Sequence, residues 1–82
     1  MSDDDTARRA HELDATIRVG KKGVESVADE LDRQLGDAEL VKVKFLRSAR
    51  GGTDTETLAD ELAAAAGAEL YRTRGNTAVF SR

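Results

Sequence analysis

The chain has 82 residues, a formal net charge of −3, one histidine and no cysteine, so it has room for a single domain and cannot form disulfides or a thiolate zinc site. No apolar run approaches the roughly 20 residues that a membrane span requires, and the acidic first residues lack the apolar core of a secretory signal. We therefore expect one soluble, cytoplasmic domain over residues 1–82, with residues 1–5 as a flexible acidic terminus.

Charge is unevenly distributed along the chain. Residues 17–52 carry eight basic and six acidic side chains, whereas residues 1–16 and 53–82 are both net acidic. Most bases of the middle stretch lie before and after its acids, so an acidic protein can still present a local positive patch. The acid excess, with nine arginines against four lysines, predicts adaptation to a salt-loaded cytoplasm. A mesophilic protein can be equally acidic, and stability in dilute buffer would distinguish the two.

The first half of the chain predicts a helix, a strand, a turn and a second helix. An acidic opening and a thin apolar stripe predict a helix over roughly residues 4–13. The short β-rich stretch 16–19 predicts a strand, and residues 20–23 a turn. Apolar residues at helical spacing over residues 24–35 predict a second helix, which Gly36 ends.

The second half predicts a strand, a helix and a hairpin. Over residues 40–47, apolar side chains alternate with lysines, which is typical of a sheet covered by helices on one side only. Thr53 and Glu56 can form a capping box for a third helix that ends at Gly67. Residues 69–81 predict a closing hairpin.

The hairpin is expected to turn at Gly75 and Asn76, a pair that can supply the positive φ of a two-residue turn. Such a turn would pair Arg72 with Val79 and Tyr71 with Phe80, and it leaves open which face is buried. The predicted order is α-β-α-β-α-β-β, an α/β (α+β) domain. Its first two strands should be parallel with a right-handed crossover and its last two antiparallel, in a mixed four-stranded sheet.

The most informative motif is Gly20-Lys21-Lys22-Gly23 between the first strand and the second helix. The two glycines allow the backbone to turn sharply and to approach another molecule closely. A helix starting at Val24 would direct free N–H groups at a phosphate, which the two lysines would neutralise. KH-type domains clamp a nucleic-acid backbone with a loop of this kind. An isolated Gly-x-x-Gly is more often only a turn. Here two lysines lie between the glycines and a predicted helix follows at once, so a simple turn and a phosphate-binding loop are about equally good interpretations.

Two further basic groups lie on the predicted sheet and its loops. A strand with lysines on one face continues into a loop with two arginines, although an ordinary solvated face is an equally good interpretation. The hairpin tip offers guanidinium and amide donors, besides forming a turn. With the glycine-lysine loop, these groups give the candidate RNA-binding residues Gly20, Lys21, Lys22, Gly23, Lys42, Lys44, Arg47, Arg50, Arg74, Gly75 and Asn76.

Catalysis has little support in the sequence. The loop is too short for a nucleotide P-loop and does not match the dinucleotide-binding fingerprint. His11 is predicted to be a surface residue, because no nucleophile is placed beside it. Phe45, Tyr71 and Phe80 are expected in the core or the sheet rather than as base-stacking platforms. We expect no enzymatic activity, cofactor or metal site.

Three ordered stretches, residues 17–24, 39–45 and 74–80, resemble the CRM domain (YhbY-like) family, and the resemblance runs from about residue 9 to residue 82. It implies a fold similar to the C-terminal domain of bacterial translation initiation factor three, and RNA binding. Stand-alone members of the family associate with precursors of the large ribosomal subunit, and plant relatives act in organellar intron splicing. By this resemblance, residues 20–23 match the family's glycine-lysine-x-glycine loop and residues 74–76 its basic, glycine-containing turn.

The chain departs from typical bacterial members in its acidity, its short first helix and its lack of a basic C-terminal tail, and its composition indicates an acidic, salt-adapted archaeal-type member. Our leading hypothesis is a monomeric protein that contacts ribosomal or precursor RNA during large-subunit assembly and binds neither membranes nor small-molecule substrates. The alternative is an adaptor that docks on a ribosomal or RNA-processing protein. Its motivation is the acid excess, together with apolar surface that the short first helix would leave uncovered.

Overall fold

The computed structural model describes residues 3–82, with side chains described from residue 5 onward. Its helices and strands follow the predicted order, which is confirmed, and a short 3-10 turn is added after the first strand. Part of the predicted flexible terminus belongs to the first helix, and residues 1–2 lie outside the described residues. The elements are α1 Asp3–Glu12, β1 Ala15–Val19, the 3-10 turn Val24–Val27, α2 Ala28–Leu35, β2 Leu40–Phe45, α3 Thr55–Ala66, β3 Glu69–Arg74 and β4 Thr77–Ser81.

The four strands form one mixed sheet in the order β1-β2-β4-β3. β1 and β2 are parallel, whereas β4 runs antiparallel to both β2 and β3. The predicted parallel first pair and antiparallel closing hairpin are therefore confirmed. Because β4 is inserted between β2 and β3, β1 and β3 become the two edge strands.

The main hydrophobic core lies between one face of the sheet and the helices α2 and α3. Alternate residues of β2 are buried on this face, as a period of two predicts for a strand. The apolar stripes of α2 and α3 pack against them, so these two helices are amphipathic in the predicted sense. The largest fully buried side chains are Phe45, Phe80, Leu31, Leu62, Val19 and Val43.

The opposite face of the sheet, which we call the outer face, is covered in part by α1. Ala10 and Val79 are only 1% and 3% exposed, although neither belongs to the main core, and both line a small cleft beneath α1. On the same face, Nζ of Lys42 donates to the carbonyl oxygen of His11 at 3.4 Å. The prediction that helices cover only one face of the sheet is therefore wrong. α1 thus lies over part of this face, where Ala10 and Val79 are both buried.

The register of the hairpin differs from the predicted one at Tyr71. Arg72 pairs with Val79 as predicted, but Leu70 pairs with Phe80, and a register shift leaves Tyr71 as the extra residue of a bulge. The bulge places Leu70 beside Phe80 on the core face and Arg72 beside Val79 on the outer face. Tyr71 stays a sheet residue, and its side chain is exposed.

Three other boundaries differ from the predicted ones. The second helix opens with a 3-10 turn rather than an α-helix, because N and Oγ of Ser26 both donate to the carbonyl oxygen of Gly23 and wind the chain tightly. The third helix is capped by Asp54, whose carboxylate accepts a first-turn N–H, so the predicted capping box starting at Thr53 is wrong. β2 ends at Phe45, earlier than predicted, because the chain then enters consecutive turns.

Candidate nucleic-acid interface

Three loops singled out by the sequence meet at one edge of the sheet. Because β1 and β2 are parallel, the loops that follow them start at the same edge, and the β3-β4 turn lies there because β4 is antiparallel to β2. The N–H of Leu46 donates to the oxygen of Val19 at 2.8 Å, and the N–H of Phe45 to the oxygen of Asn76 at 2.7 Å. We call this region the basic edge. It comprises residues 18–23, 44–53 and 74–77, which include seven basic residues and no acidic one.

The loop of residues 20–23 is a tight turn. The N–H of Gly23 donates to the carbonyl oxygen of Gly20 at 3.0 Å, which closes the turn over Lys21 and Lys22. Both lysine side chains are exposed. Gly23 has φ 84° and ψ 178°, a backbone region that is essentially restricted to glycine, so the predicted need for glycine is confirmed at this position.

Gly20 places this loop against the next one. Its φ is not among the positive values found at other glycines. A β-carbon at Gly20 would lie 3.5 Å from Oγ of Ser48 and 3.8 Å from Cδ1 of Leu46, which are ordinary van der Waals contacts. The fold therefore requires glycine at Gly23 but not at Gly20.

The loop after β2 presents its two arginines differently. Arg47 is exposed, whereas Arg50 is half-buried and its Nε donates to the carbonyl oxygen of Phe45 at 3.2 Å. Successive backbone bonds to Leu46, Arg47 and Arg50 fold the loop into turns. Arg47 can therefore reach a ligand with its whole side chain, while Arg50 also stabilises the loop that carries it.

One row of residues crosses the sheet at the basic edge. Arg18 pairs with Lys44, Lys44 with Thr77, and Thr77 with Arg74. Chain neighbours of Arg18, Lys44 and Thr77 belong to the main core, so these three side chains face outward, and Arg74 lines the cleft beneath α1 on the same face. The guanidinium of Arg74 lies 2.5 Å from Nδ1 of His11, and because a guanidinium can only donate, Nδ1 is the acceptor.

The structure brings together ten of the eleven predicted site residues and separates one. Lys42 lies one outward-facing position further from the basic edge, beneath α1, where its ammonium group contacts the backbone of His11. It is thus no part of the open surface that Lys44 helps to form. The pairing of Lys42 with Val79, which α1 buries, explains this difference between the two lysines.

Sequence reasoning missed two residues of this surface. Arg18 lies between the buried Ile17 and Val19 on β1, so the alternation of that strand could have placed it outward beside Lys44. His11 was predicted to be a surface residue and is exposed, but its contact with Arg74 joins positions that are 63 residues apart. No local sequence pattern predicts a contact between residues so far apart in the chain.

Carboxylates are directed away from the basic edge. Asp54 directly follows it, and its carboxylate caps α3 at 2.8 Å from the N–H of Thr57, which holds the pKa of Asp54 below its ordinary value of 3.8. None of the ion pairs among the side chains of residues 5–82 includes a base of the edge. They join Arg8 to Asp5, Arg9 to Glu39, Arg33 to Glu30 and Arg82 to Asp32.

The described part of the chain offers little support for a metal site, a membrane-spanning helix or a ligand cavity. No three His, Asp or Glu side chains there are close enough to hold a metal ion. No helix among residues 3–82 is long and apolar enough to cross a membrane. The cleft beneath α1 offers about 10 Å³, roughly the room that one water molecule needs.

A family model for the CRS1 / YhbY (CRM) domain matches residues 4–82 of the chain. A probable RNA-binding protein from Methanocaldococcus jannaschii is 38% identical over 74 residues, which cover 90% of this chain and 55% of that protein. A probable RNA-binding protein from Pseudomonas aeruginosa is 37% identical over 73 residues, which cover 88% of this chain and 68% of that protein. The chain thus spans about half the length of the first relative and about two thirds of the second.

A solved structure shares the fold. The solution structure of a hypothetical protein from Staphylococcus aureus, described as a candidate RNA-binding protein, superposes with a TM-score of 0.75 at 31% identity. The match covers 93% of this chain and 78% of the other. The three helices and the mixed four-stranded sheet are therefore those of a solved protein with related sequence.

Proposed function

The chain belongs to the CRS1/YhbY (CRM) domain family, and on that premise we propose that it is an RNA-binding protein whose basic edge holds the phosphate backbone. The names of both relatives support RNA as the ligand class. RNA is a polyanion, and the neutralisation of its phosphates by lysine and arginine supplies much of the affinity of such proteins.

The observation that carries this proposal is the convergence of three basic loops at one edge of the sheet. Seven bases lie there without an acidic residue, although the whole chain carries a net charge of −3. Four described carboxylates pair with arginines outside the basic edge, and Asp54, which directly follows the edge, caps α3. A surface of this kind concentrates positive potential and attracts an anionic polymer to one place on an acidic protein.

The glycine-lysine loop is the proposed centre of the site. Lys21 and Lys22 project into solvent from a turn closed by the backbone, so two ammonium groups can contact neighbouring phosphates. The α-helix proper starts at Ala28, four residues after the loop, and the intervening 3-10 turn is short. The positive end of an α-helix dipole acts mainly within the first turn, so we assign the electrostatic attraction to the lysines and arginines rather than to the helix.

The RNA that we propose is ribosomal RNA or its precursor, during assembly of the large ribosomal subunit. This finer assignment rests on the association of stand-alone family members with such precursors. Crosslinking in cells, followed by sequencing of the attached RNA, tests it directly. Fragments enriched in large-subunit precursor sequence are expected, and a random sample of cellular RNA would contradict the assignment.

Filter binding of structured ribosomal RNA at several salt concentrations tests the site. If three or four phosphates are neutralised, the logarithm of the affinity for single-stranded segments should fall with the logarithm of the salt concentration at a slope of about −2 to −3. The double variant Lys21→Ala/Lys22→Ala removes two of these contacts. Its slope should be shallower by about 1.4, and its affinity at low salt should fall.

The matched control removes two bases elsewhere. Arg8→Ala/Arg33→Ala changes the net charge by the same amount, but both arginines are exposed and pair with carboxylates of their own helices. This control should keep the wild-type slope. Equal effects of the two double variants would mean that net charge alone governs binding, and a flat salt response of the wild type would refute the phosphate-binding site.

The alternative function, docking on a protein partner, keeps the acid excess as a motivation but loses the uncovered apolar surface. α1 covers Val79 on the outer face, and among the residues that the structure describes Tyr71 is the one exposed large apolar side chain. A single exposed aromatic residue is common on protein surfaces and does not indicate an interface. RNA binding is therefore the function that the geometry supports best.

A further inference from the structure

The row that crosses the outer face of the sheet carries three cations with one threonine between them. Arg18 lies opposite Lys44 on the adjacent parallel strand, and Arg74 follows across Thr77 on the far side of β4. Neighbouring strands are about 4.8 Å apart, so the row spans about 14 Å. It starts two residues before the glycine-lysine loop and is therefore continuous with it.

The pairing of Arg18 with Lys44 places two positive charges opposite each other on adjacent strands. Like charges directly opposite each other on adjacent strands destabilise a sheet. Neither residue belongs to an ion pair among the described side chains. A phosphate placed between them would remove the repulsion, which makes this position suited to an anion.

α1 limits the row on its inner side. Its residue His11 contacts both Arg74 and, through its backbone, Lys42 in the next outward-facing position. Beyond this limit lies the cleft beneath α1, which the buried Ala10 and Val79 line. An extended polymer on this face would therefore run across the strands along the basic edge, because the direction along the strands is blocked.

We propose that Arg18, Lys44 and Arg74 form a second phosphate-binding track, along which an RNA strand bound at the glycine-lysine loop continues across the outer face of the sheet. This inference rests on the proposed function and assigns the three outward-facing bases of the sheet, within the basic edge, a path of their own beside the loop. The contacts are to phosphates rather than to base edges, because long flexible cations on a flat sheet provide charge without fixed donor geometry.

The test measures binding of a short single-stranded oligouridylate at several salt concentrations for the wild type and five variants. Arg18→Gln and Lys44→Gln remove one charge each from the row, Lys21→Ala/Lys22→Ala removes the loop charges, and Arg33→Gln is the matched control on the far side of the molecule. Each row variant should make the salt slope shallower by about 0.7, and Arg33→Gln should leave it unchanged. Arg18→Lys should restore the slope of the wild type.

Thermal unfolding of the free proteins adds a readout that a purely structural role would not give. Arg18→Gln should unfold at a higher temperature than the wild type while it binds RNA more weakly, because it relieves the repulsion from Lys44. Unchanged slopes in both row variants, with a shallower slope in Lys21→Ala/Lys22→Ala, would overturn the second track and leave the proposed function standing. Unchanged slopes in the row variants and in Lys21→Ala/Lys22→Ala would overturn both the second track and the proposed phosphate-binding site.

Discussion

At the level of single residues, the two glycines of the loop have different roles. Gly23 combines φ 84° with ψ 178°, which a residue with a β-carbon adopts only with strain. Gly20 has no positive φ, and a β-carbon there would make ordinary contacts with Ser48 and Leu46. The motif therefore contains one glycine that the backbone requires and one that the fold can replace.

Gly23→Ala should accordingly reduce the free energy of unfolding by about 1–3 kcal/mol. No atom lies within 4 Å of a β-carbon built at Gly23, so the loss should come from backbone strain and not from a clash. Urea denaturation followed by circular dichroism measures it. Gly20→Ala is the internal control and should stay within about 0.5 kcal/mol of the wild type.

The same pair separates stability from binding. If RNA approaches the loop backbone closely, Gly20→Ala should weaken binding although its stability is preserved, because the added methyl group lies where the two loops meet. Equal losses of stability in the two variants would contradict the assignment of strain to Gly23 alone.

At the level of elements, the carboxylate that caps α3 stabilises the helix behind the basic edge. The N–H of Thr57 donates to Asp54 and lowers the pKa of its carboxyl from the ordinary value of 3.8. A carboxyl whose pKa is lower in the folded state contributes stability above its unfolded pKa and loses it as the pH falls through the folded pKa. The contribution should therefore be complete at neutral pH and disappear below pH 3.8.

Asp54→Ala should lower the midpoint of thermal unfolding at neutral pH, whereas Asp54→Asn should retain most of the wild-type stability, because asparagine is a comparable N-cap. As the pH falls below 3.8, the difference between the wild type and Asp54→Asn should shift in favour of the asparagine variant, whose side chain does not titrate. Thermal scans over this range measure the effect. Parallel pH profiles of the two proteins would show that Asp54 does not cap the helix through its charge.

Most elements could be predicted from the sequence, because their patterns are local. The alternation in β2 and the apolar stripes of α2 and α3 each specify a strand or a helix without reference to the rest of the chain. The position of α1 could not be predicted in this way. Its thin stripe gives no sign of the sheet face that it covers, and the cleft that Ala10 and Val79 both line joins distant parts of the chain.

The candidate site, like the fold, could be predicted from the sequence only in part. Its loops were recognisable by composition, but their convergence depends on strand order, and β4 lies between β2 and β3 although it comes last. The bulge at Tyr71 likewise has no local signal, since only the packing of Leu70 and Phe80 on the same face demands it. Arg18 was overlooked because its partner Lys44 is 26 residues away and becomes its neighbour only in the parallel pair.

For the whole molecule, charge is separated between the two ends of the sheet. The basic edge lies where β1 and β2 end, and the acidic residues Asp14, Asp37 and Glu39 precede the starts of these strands. The basic edge therefore holds bases without acids, whereas the other end holds these acids together with bases such as Arg9, which pairs with Glu39. Such a distribution orients the protein toward a polyanion and turns its acidic end away.

Added salt should raise the stability of the fold and lower the affinity for RNA. At molar salt the Debye length is about 3 Å, so repulsion between exposed acids is screened, and so is long-range attraction between the basic edge and RNA. If the acid excess is an adaptation to a salt-loaded cytoplasm, the midpoint of thermal unfolding should rise steadily from dilute buffer to about 2 M KCl, while the affinity for RNA falls with the slope given above.

The affinity should then level off instead of vanishing, because contacts at hydrogen-bonding distance, such as those that the loop backbone around Gly20 and the guanidinium of Arg47 can make, are much less screened than contacts across solvent. Thermal unfolding and RNA binding, measured on the same samples from dilute buffer to about 2 M KCl, test both the salt adaptation and the close contacts. Full stability in dilute buffer, with no gain on adding salt, would remove the salt adaptation but leave the RNA site intact. A slope that stays constant up to molar salt would mean that counterion release from neutralised phosphates supplies nearly all of the affinity.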